Sequence, residues 1–167
     1  MPTKDTRERK RPLLALDDCG LALASELLGD RWTLLILREA FYGVTRFDHM
    51  REDLSASRHA LSSRLDALTG KGLLERRPYR EPGERERDEY VLTDQGRSLA
   101  PVLLALFDWG QQCLLPPSRR STLVEQSTGQ TVKGVFVTDD GRIVHARDIT
   151  LKVRGKKAGG SRQADRG

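Results

Sequence analysis

The sequence predicts a mainly α-helical fold with a small β wing, and three observations along its 167 residues support this prediction. Apolar residues recur at helical spacing in a series of segments between residues 16 and 115. Two strand-like segments, "LLERRPY" and "DEYVLT", flank a charged loop and predict a β-hairpin. A second hairpin signal, "TDDG", lies between apolar segments nearer the C-terminus. The order helix, turn, helix, hairpin therefore predicts a winged helix-turn-helix, plus a small C-terminal β-hairpin extension.

The first two helices are predicted from apolar spacing and from residues that end or cap helices. Helical spacing runs from Leu16 to Leu28, and Gly29 is well placed to end that helix. Asp30 can cap a second helix, "RWTLLILREAFYG". Because its apolar residues occupy two faces, we expect this helix in the centre of a bundle or at a subunit interface.

The next two helices form the predicted helix-turn-helix. Thr45 can cap the third helix, "RFDHMREDL", and Ser57 can cap the fourth after a three-residue connection. In the fourth helix the inward positions are Leu61, Leu65 and Leu68, at i, i+4, i+7 spacing. The polar residues opposite these leucines would then be free to meet another molecule.

The last predicted helix runs from about Asp94 to Leu115 and contains a proline. Pro101 in the interior of an unbroken helix would cost about 3 kcal/mol, so we expect a kink or a restart there. Pro116–Pro117 ends this helix.

The formal net charge of +5 is concentrated in the two ends of the chain. Residues 1–12 carry +3 and residues 152–167 carry +5, which leaves −3 for residues 13–151. Nucleic-acid binding by the folded body would therefore depend on where particular arginines point rather than on bulk charge.

Composition and motifs argue against several other classes of protein. There is no apolar segment of membrane-spanning length and no signal peptide, so we expect a cytoplasmic protein without a membrane partner. Two cysteines and three scattered histidines predict neither a disulfide framework nor a metal site. With no phosphate-binding glycine loop and no nucleophile–base pair, we expect no enzyme activity and no cofactor.

The fourth helix carries small polar and basic residues on its open side, which favours insertion into the DNA major groove. The predicted DNA-binding residues are Ser57, Arg58, His59, Ser62, Ser63 and Arg64 near this helix and Arg80, Arg85 and Arg87 of the wing. The wing arginines alternate with glutamates, so DNA binding there requires the glutamates to face away. The alternative is a winged-helix module that binds protein rather than specific DNA.

Residues 19–110 resemble the HxlR-type winged helix-turn-helix regulators, which are related in fold to the MarR type. The most specific motifs are "DRWTLLILRE", "RFDHM", "LSSRLDALTGKGLLERR" and "YVLTDQGR". The resemblance implies a bacterial regulator, more commonly a repressor, that binds pseudo-palindromic double-stranded DNA as a homodimer. It places the dimer interface on the N-terminal and C-terminal helices. The implied interface residues are Leu23, Leu27, Leu99, Leu103, Leu106 and Trp109.

The resemblance also implies a regulatory role for Cys19, which matches a cysteine that senses oxidants or electrophiles in some HxlR-type proteins. Near a helix N-terminus a thiol gains thiolate character. A buried hydrophobic cysteine is the plainer interpretation, and the preceding Asp17 and Asp18 disfavour a thiolate. A small organic effector bound between the dimer helices and the DNA-binding lobe is an equal alternative.

The expected organisation has five parts. Residues 1–12 form a flexible basic tail, 13–115 the winged helix-turn-helix with its dimerisation helices, and 116–124 a linker. Residues 125–153 form the β-hairpin extension, and 154–167 a disordered basic tail. The extension is similar to a zinc-ribbon-like tail of some HxlR-type proteins, but other residues occupy its ligand positions, so we expect no metal there.

Overall fold

A computed structural model describes residues 15–151, and the two predicted basic tails lie outside these residues. Within them the fold is mainly α-helical with a small antiparallel wing and a further small hairpin, which confirms the predicted fold class. The helices are α1 (Gly20–Leu28), α2 (Arg31–Phe41), α3 (Phe47–Leu54), α4 (Arg58–Gly70), α5 (Asp94–Arg97) and α6 (Ala100–Leu114). The strands are β1 (Leu74–Tyr79), β2 (Arg87–Leu92), β3 (Phe136–Val137) and β4 (Ile143–Val144).

The described chain divides into two compact units. One unit is Leu23–Gly134, which contains the helix-turn-helix, the wing and α6. The described residues of the other unit are 15–22 and 135–151, which include the β3–β4 hairpin.

Helix α2 lies at the centre of the larger unit, which is the first of the two positions that its two apolar faces predicted. Ile36 and Leu37 are fully buried, and the helix packs against α3, α4, α6 and β2. Its predicted cap is confirmed, because the Asp30 carboxylate accepts hydrogen bonds from the amides of Trp32 (2.9 Å) and Thr33 (3.2 Å). A cap of this kind typically stabilises a protein by about 1 kcal/mol.

The predicted helix from Leu16 to Leu28 is interrupted. Residues Leu16–Asp18 form a single 3₁₀ turn, Cys19 is extended (φ −95°, ψ 108°), and α1 begins only at Gly20. Leu16 and Leu21 are 75% and 80% exposed. Because packing supplies most of the stability of a short helix, apolar spacing without burial does not sustain a continuous one here.

The predicted cap of α3 is wrong. Arg46, not Thr45, precedes the helix, and it provides no side-chain cap. The Thr45 hydroxyl instead donates to the Glu89 carboxylate at 2.7 Å, and the Thr45 carbonyl accepts from the Tyr90 amide at 2.8 Å. Thr45 is therefore committed to strand β2, so its hydroxyl cannot also cap the helix.

The wing is an antiparallel pair that confirms the first predicted hairpin. Its register runs from Leu74 opposite Leu92 to Tyr79 opposite Arg87. Leu74 and Leu92 are buried in the same core as the inward leucines of α4. The base of the wing is thus part of the hydrophobic core, while its charged loop projects away from it.

The C-terminal helix restarts at its proline, as expected. Helix α5 ends at Arg97, and α6 begins at Ala100 with Pro101 in its first turn, where a missing amide costs nothing. After α6, the Arg120 guanidinium donates to the carbonyls of Gln112 (2.8 Å) and Leu115 (3.0 Å). These bonds satisfy carbonyls at the helix end and hold the predicted linker segment against it.

The second hairpin is present but short. Strands β3 and β4 contain two residues each, with Phe136 opposite Val144 and Val137 opposite Ile143. The predicted segments were longer, but the chain enters a 3₁₀ turn at Ala146, which ends extended pairing. In the connecting turn, a hydrogen bond from the Thr138 hydroxyl lowers the pKa of the Asp140 carboxyl.

Helix α5 is packed so closely on the wing that only glycine fits at position 96. A Cβ there would lie 2.1 Å from the Leu73 carbonyl oxygen and 3.0 Å from Cδ2 of Leu92. We predict that Gly96→Ala lowers the free energy of unfolding by about 2–3 kcal/mol, measured by urea denaturation. Gly70→Ala is the matched control, because a Cβ at Gly70 meets nothing within 4 Å. An equal loss in both variants would contradict this explanation.

Candidate nucleic-acid interface

The helix-turn-helix is made by α3, a three-residue connection and α4. Ser55 takes the left-handed conformation (φ 50°), in which glycine or asparagine is more usual. Ala56 is buried in the core, and the Ser57 hydroxyl caps α4 by accepting from the Ala60 amide at 3.2 Å. The predicted Ser57 cap is confirmed. The connection thus places the first turn of α4 at the surface.

Helix α4 has one buried face and one open face. Leu61, Leu65 and Leu68 are at most 1% exposed, which confirms their predicted inward orientation. His59 and Ser63 are exposed on the opposite side, and Ser62 is half-buried at its edge. The open face therefore carries short polar side chains that allow close approach of a partner's surface.

Arg58 and Arg64 occupy different flanks of α4 and have different partners. The Arg58 side chain is 71% exposed, and its guanidinium lies 5.4 Å from the centre of the Phe47 ring. Arg64 Nε lies 3.2 Å from Oδ1 of Asp30, the residue that caps α2. Arg64 is thus tied to the scaffold, whereas Arg58 extends from the exposed first turn.

The wing loop, residues 80–86, is fastened by its glutamates. Glu81 forms an ion pair with Arg46, and Glu84 lies 3.1 Å from the Arg87 guanidinium. Arg80 Nε donates to the Glu84 carbonyl at 2.9 Å. Among the described residues, Arg85 has no ion-pair partner. Glu81 is therefore held by the residue before α3 and Glu84 by the first residue of β2, so neither carboxylate is left without a partner.

The wing is joined to the helix-turn-helix at the residues before α3. Arg46 and Glu89 form an isolated antiparallel bridge beside the hydrogen bonds of Thr45. The Arg46 guanidinium also lies 4.7 Å from the centre of the Tyr79 ring. Sequence reasoning missed this junction, since neither Arg46 nor Thr45 belongs to a strand-like segment.

A recess of about 400 Å³ opens between the start of α3, the first turn of α4 and the wing. Its lining residues are Phe47, Asp48, Arg58, Tyr79, Arg85, Arg87, Asp88 and Tyr90. Three arginines predicted to bind DNA are therefore brought together around one cavity. Asp48, which was not predicted, lies 3.5 Å from Arg87 and 3.9 Å from Arg58.

Tyr90 forms the inner wall of this recess and is 8% exposed. Burial raises the pKa of its phenol above the usual value of 10.0, and the nearby Asp66 and Asp88 carboxylates act in the same direction. Arg76, whose guanidinium lies 5.7 Å from the ring centre, opposes them. Arg76 also pairs with Asp66 of α4, so the wing and α4 are linked at this point.

A second cavity, about 450 Å³ in volume, lies between α2 and α6 and is mostly apolar. Its lining residues are Leu34, Leu35, Arg38, Phe41, Tyr42, Ala100, Leu103, Leu104, Leu106, Phe107 and Leu123. Of the predicted interface residues, Leu103 and Leu106 line this cavity, and the whole set divides into two groups by burial. Leu27, Leu99 and Leu103 pack partly against the core. Leu23, Leu106 and Trp109 are at least half exposed.

The two cysteines differ in exposure. Cys19 is half-buried and has an extended backbone immediately before α1. Cys113 is exposed near the end of α6. Within residues 15–151, no three histidine, cysteine or acidic side chains lie close enough together to hold a metal ion. No helix in that part of the chain is long and apolar enough to cross a membrane.

The fold and this surface define a winged helix-turn-helix protein. The profile of the HxlR-like helix-turn-helix family matches residues 27–117, and the chain belongs to that family. An HTH-type transcriptional regulator of Mycobacterium tuberculosis is 41% identical over 133 residues, which are 76% of this chain and 80% of the relative. This protein is accordingly a DNA-binding transcriptional regulator of the HxlR type.

Solved structures agree with this assignment. The crystal structure of PA1607, a candidate transcription factor, superposes with a TM-score of 0.72 at 34% identity and covers 80% of this chain and 94% of PA1607. The redox regulator HypR in its reduced form superposes with a TM-score of 0.51 at 25% identity, over 56% of this chain and 92% of HypR.

The raised pKa of Tyr90 predicts a loss of stability in alkaline solution. The unfolded phenol loses its proton near pH 10.0 and the folded phenol only at higher pH, so stability present below pH 10 falls as the pH rises further. We expect Tyr90→Phe to flatten this fall in urea denaturation and to remove the latest phase of phenol ionisation in ultraviolet titration. Tyr42→Phe, at an exposed tyrosine, is the control. If the two variants behave alike, Tyr90 is not the responsible group.

Proposed function

We propose that this protein is a homodimeric, cytoplasmic repressor that binds pseudo-palindromic operator DNA. Helix α4 would read base edges in the major groove, and the wing would contact the neighbouring backbone or minor groove. The observation that carries the proposal is the open face of α4. It presents His59, Ser62 and Ser63 beside the exposed Arg58.

The side chains on this face suit DNA for steric and chemical reasons. Serine hydroxyls are short enough to let the helix backbone enter the groove, and they bond either bases or phosphates. Arg58 has the reach for two hydrogen bonds to one guanine or for a phosphate. Since residues 13–151 carry −3, attraction to DNA would come from this local arrangement and not from the net charge of the body.

The wing supports the proposal through the sorting of its charges. Glu81 is paired with Arg46 and Glu84 with Arg87, so those glutamates are neutralised within the protein. Arg80 and Arg85 remain exposed on the loop. The loop, residues 80–86, has two arginines and three glutamates and a formal charge of −1, so it can offer cations to a phosphate backbone because two of those glutamates are paired. Arg64, bonded to Asp30, would contribute by fixing α4 on the scaffold and by contacting phosphate from its flank.

A homodimer would cover the apolar surface that a single chain leaves open. Leu23, Leu106 and Trp109 are at least half exposed on α1 and α6. The other three predicted interface residues, Leu27, Leu99 and Leu103, are partly buried and pack against the core, so they would hold the two helices in place behind the interface. A two-fold dimer would place its α4 helices roughly 34 Å apart, one turn of DNA.

The test is fluorescence anisotropy with the duplex upstream of the coding region and a scrambled duplex of equal length. We expect at least about hundredfold tighter binding of the native duplex, with two chains per duplex at saturation. Arg58→Ala should weaken native-duplex binding about 10–100-fold, because a bidentate base contact is lost. Arg119→Ala removes an exposed arginine after α6 and is the matched control.

Equal, weak binding of both duplexes that disappears as salt rises would contradict this proposal. The alternative, a winged-helix module that binds protein, predicts that result, since it needs no sequence-dependent affinity for DNA.

We further propose two alternatives for the signal that releases DNA. The first is oxidation of Cys19, in line with the structural similarity to the redox regulator HypR. The second is a small organic effector in the apolar cavity between α2 and α6. A peroxide would convert the thiol to a sulfenic acid, which a thiol reductant reverses through a disulfide.

One experiment distinguishes these two alternatives. If Cys19 senses oxidants, peroxide lowers the DNA affinity of the unmodified protein at least about tenfold, and dithiothreitol restores it. Cys19→Ser should then bind DNA normally and ignore peroxide, while Cys113→Ser keeps the response. An unmodified protein whose affinity does not change under peroxide would exclude the cysteine mechanism and leave the effector.

A further inference from the structure

We propose that Asp48 sets the DNA specificity of this protein by competing with phosphate for two of its arginines. The inference rests on the proposed function, in which α4 and the wing bind DNA. Asp48 belongs to neither element: it lies in the first turn of α3, beside the recess that separates them.

The contacts of Asp48 are divided between the two DNA-facing elements. Its Oδ1 lies 3.9 Å from the guanidinium of Arg58 on α4, and its Oδ2 lies 3.5 Å from that of Arg87 in the wing. The side chain is 51% exposed. One solvent-accessible carboxylate therefore occupies the position from which a phosphate oxygen could reach both arginines.

The charges around the recess are consistent with competition between Asp48 and phosphate. Arg85 lines the same recess and has no ion-pair partner within residues 15–151, and Asp88 is a further lining residue. Glu84 already holds the second terminal nitrogen of Arg87, at 3.1 Å. Asp48 is the acidic group that touches both arginines among these residues, so removing it takes one carboxylate away from both at once and leaves Arg87 paired with Glu84.

Exposed ion pairs of this length add little to fold stability, so a structural role for the two pairs is a weak explanation. Their effect on DNA binding is larger, because a fixed negative charge beside the arginines repels every phosphate in any sequence. Nonspecific DNA binding consists almost entirely of phosphate contacts, so the charge of Asp48 lowers the affinity for nonspecific DNA most.

The affinity for operator DNA is lowered less, because Asp48 also keeps Arg58 in place. With Phe47 beneath its guanidinium and Asp48 beside it, Arg58 is held in one region before DNA arrives. Ordering a long side chain in advance reduces the entropy lost on binding. The same carboxylate thus disfavours arbitrary DNA and prepares one base-reading arginine for the operator.

The test compares Asp48→Asn with Asp53→Asn in the full-length protein. Both are exposed aspartates of α3, both substitutions remove one negative charge, and Asp53 has no ion-pair partner among the described residues. We expect Asp48→Asn to bind a scrambled duplex about tenfold more tightly and the native duplex about two- to threefold more tightly. The slope of log affinity against log salt should steepen by about one phosphate contact.

Asp48→Glu provides the second variant, because it retains the charge and should restore most of the discrimination between the two duplexes. Circular dichroism melting checks that each variant folds as the unmodified protein does. Equal ratios of native to scrambled affinity in Asp48→Asn and Asp53→Asn would overturn the inference. So would weaker binding of Asp48→Asn to both duplexes, which would make Asp48 only a structural support. An unmodified protein that does not distinguish the duplexes refutes the proposed function instead.

Discussion

The geometry of the surface formed by α3, α4 and the wing depends on one short stretch of pairing, where the chain before α3 meets strand β2. The Tyr90 amide donates to the Thr45 carbonyl at 2.8 Å, and the Thr45 hydroxyl donates to Glu89 at 2.7 Å. These bonds fix the start of α3 against the wing. Because α3 and α4 are joined by a three-residue connection whose central residue, Ala56, is buried, α4 is then oriented relative to the wing as well. A recess lined by residues of all three elements follows from that constraint.

Charge on this surface is organised by pairing rather than by composition. The body of the chain is acidic overall, yet several of its carboxylates pair with arginines: Asp30 with Arg64, Asp66 with Arg76, and Glu81 with Arg46. Each pair adds little stability at a solvated surface. Together they determine which arginines remain able to reach a partner. For a regulator, this selection matters because specificity is the difference between two affinities.

Family membership and the local geometry support different levels of the functional argument. The match to the HxlR-like family, together with the similarity to a solved candidate transcription factor, identifies a DNA-binding transcriptional regulator. The arrangement around Arg58 and Asp48 carries the proposals about how operator and arbitrary DNA are told apart. The apolar cavity beside α6 and the half-buried Cys19 are the two candidate sites for the signal that releases DNA, and neither is part of the surface proposed to bind DNA.

The sequence by itself determined the elements whose signals are local. Side-chain caps at Asp30 and Ser57, the leucine period of α4 and the restart at Pro101 all follow from interactions within a few residues. Tertiary structure decided what depends on distant partners. Thr45 bonds β2 instead of capping α3, the helix expected from Leu16 is broken at Cys19, and Asp48 meets arginines ten and thirty-nine positions away. Periodicity cannot encode such contacts, because they exist only after packing has brought separate elements together.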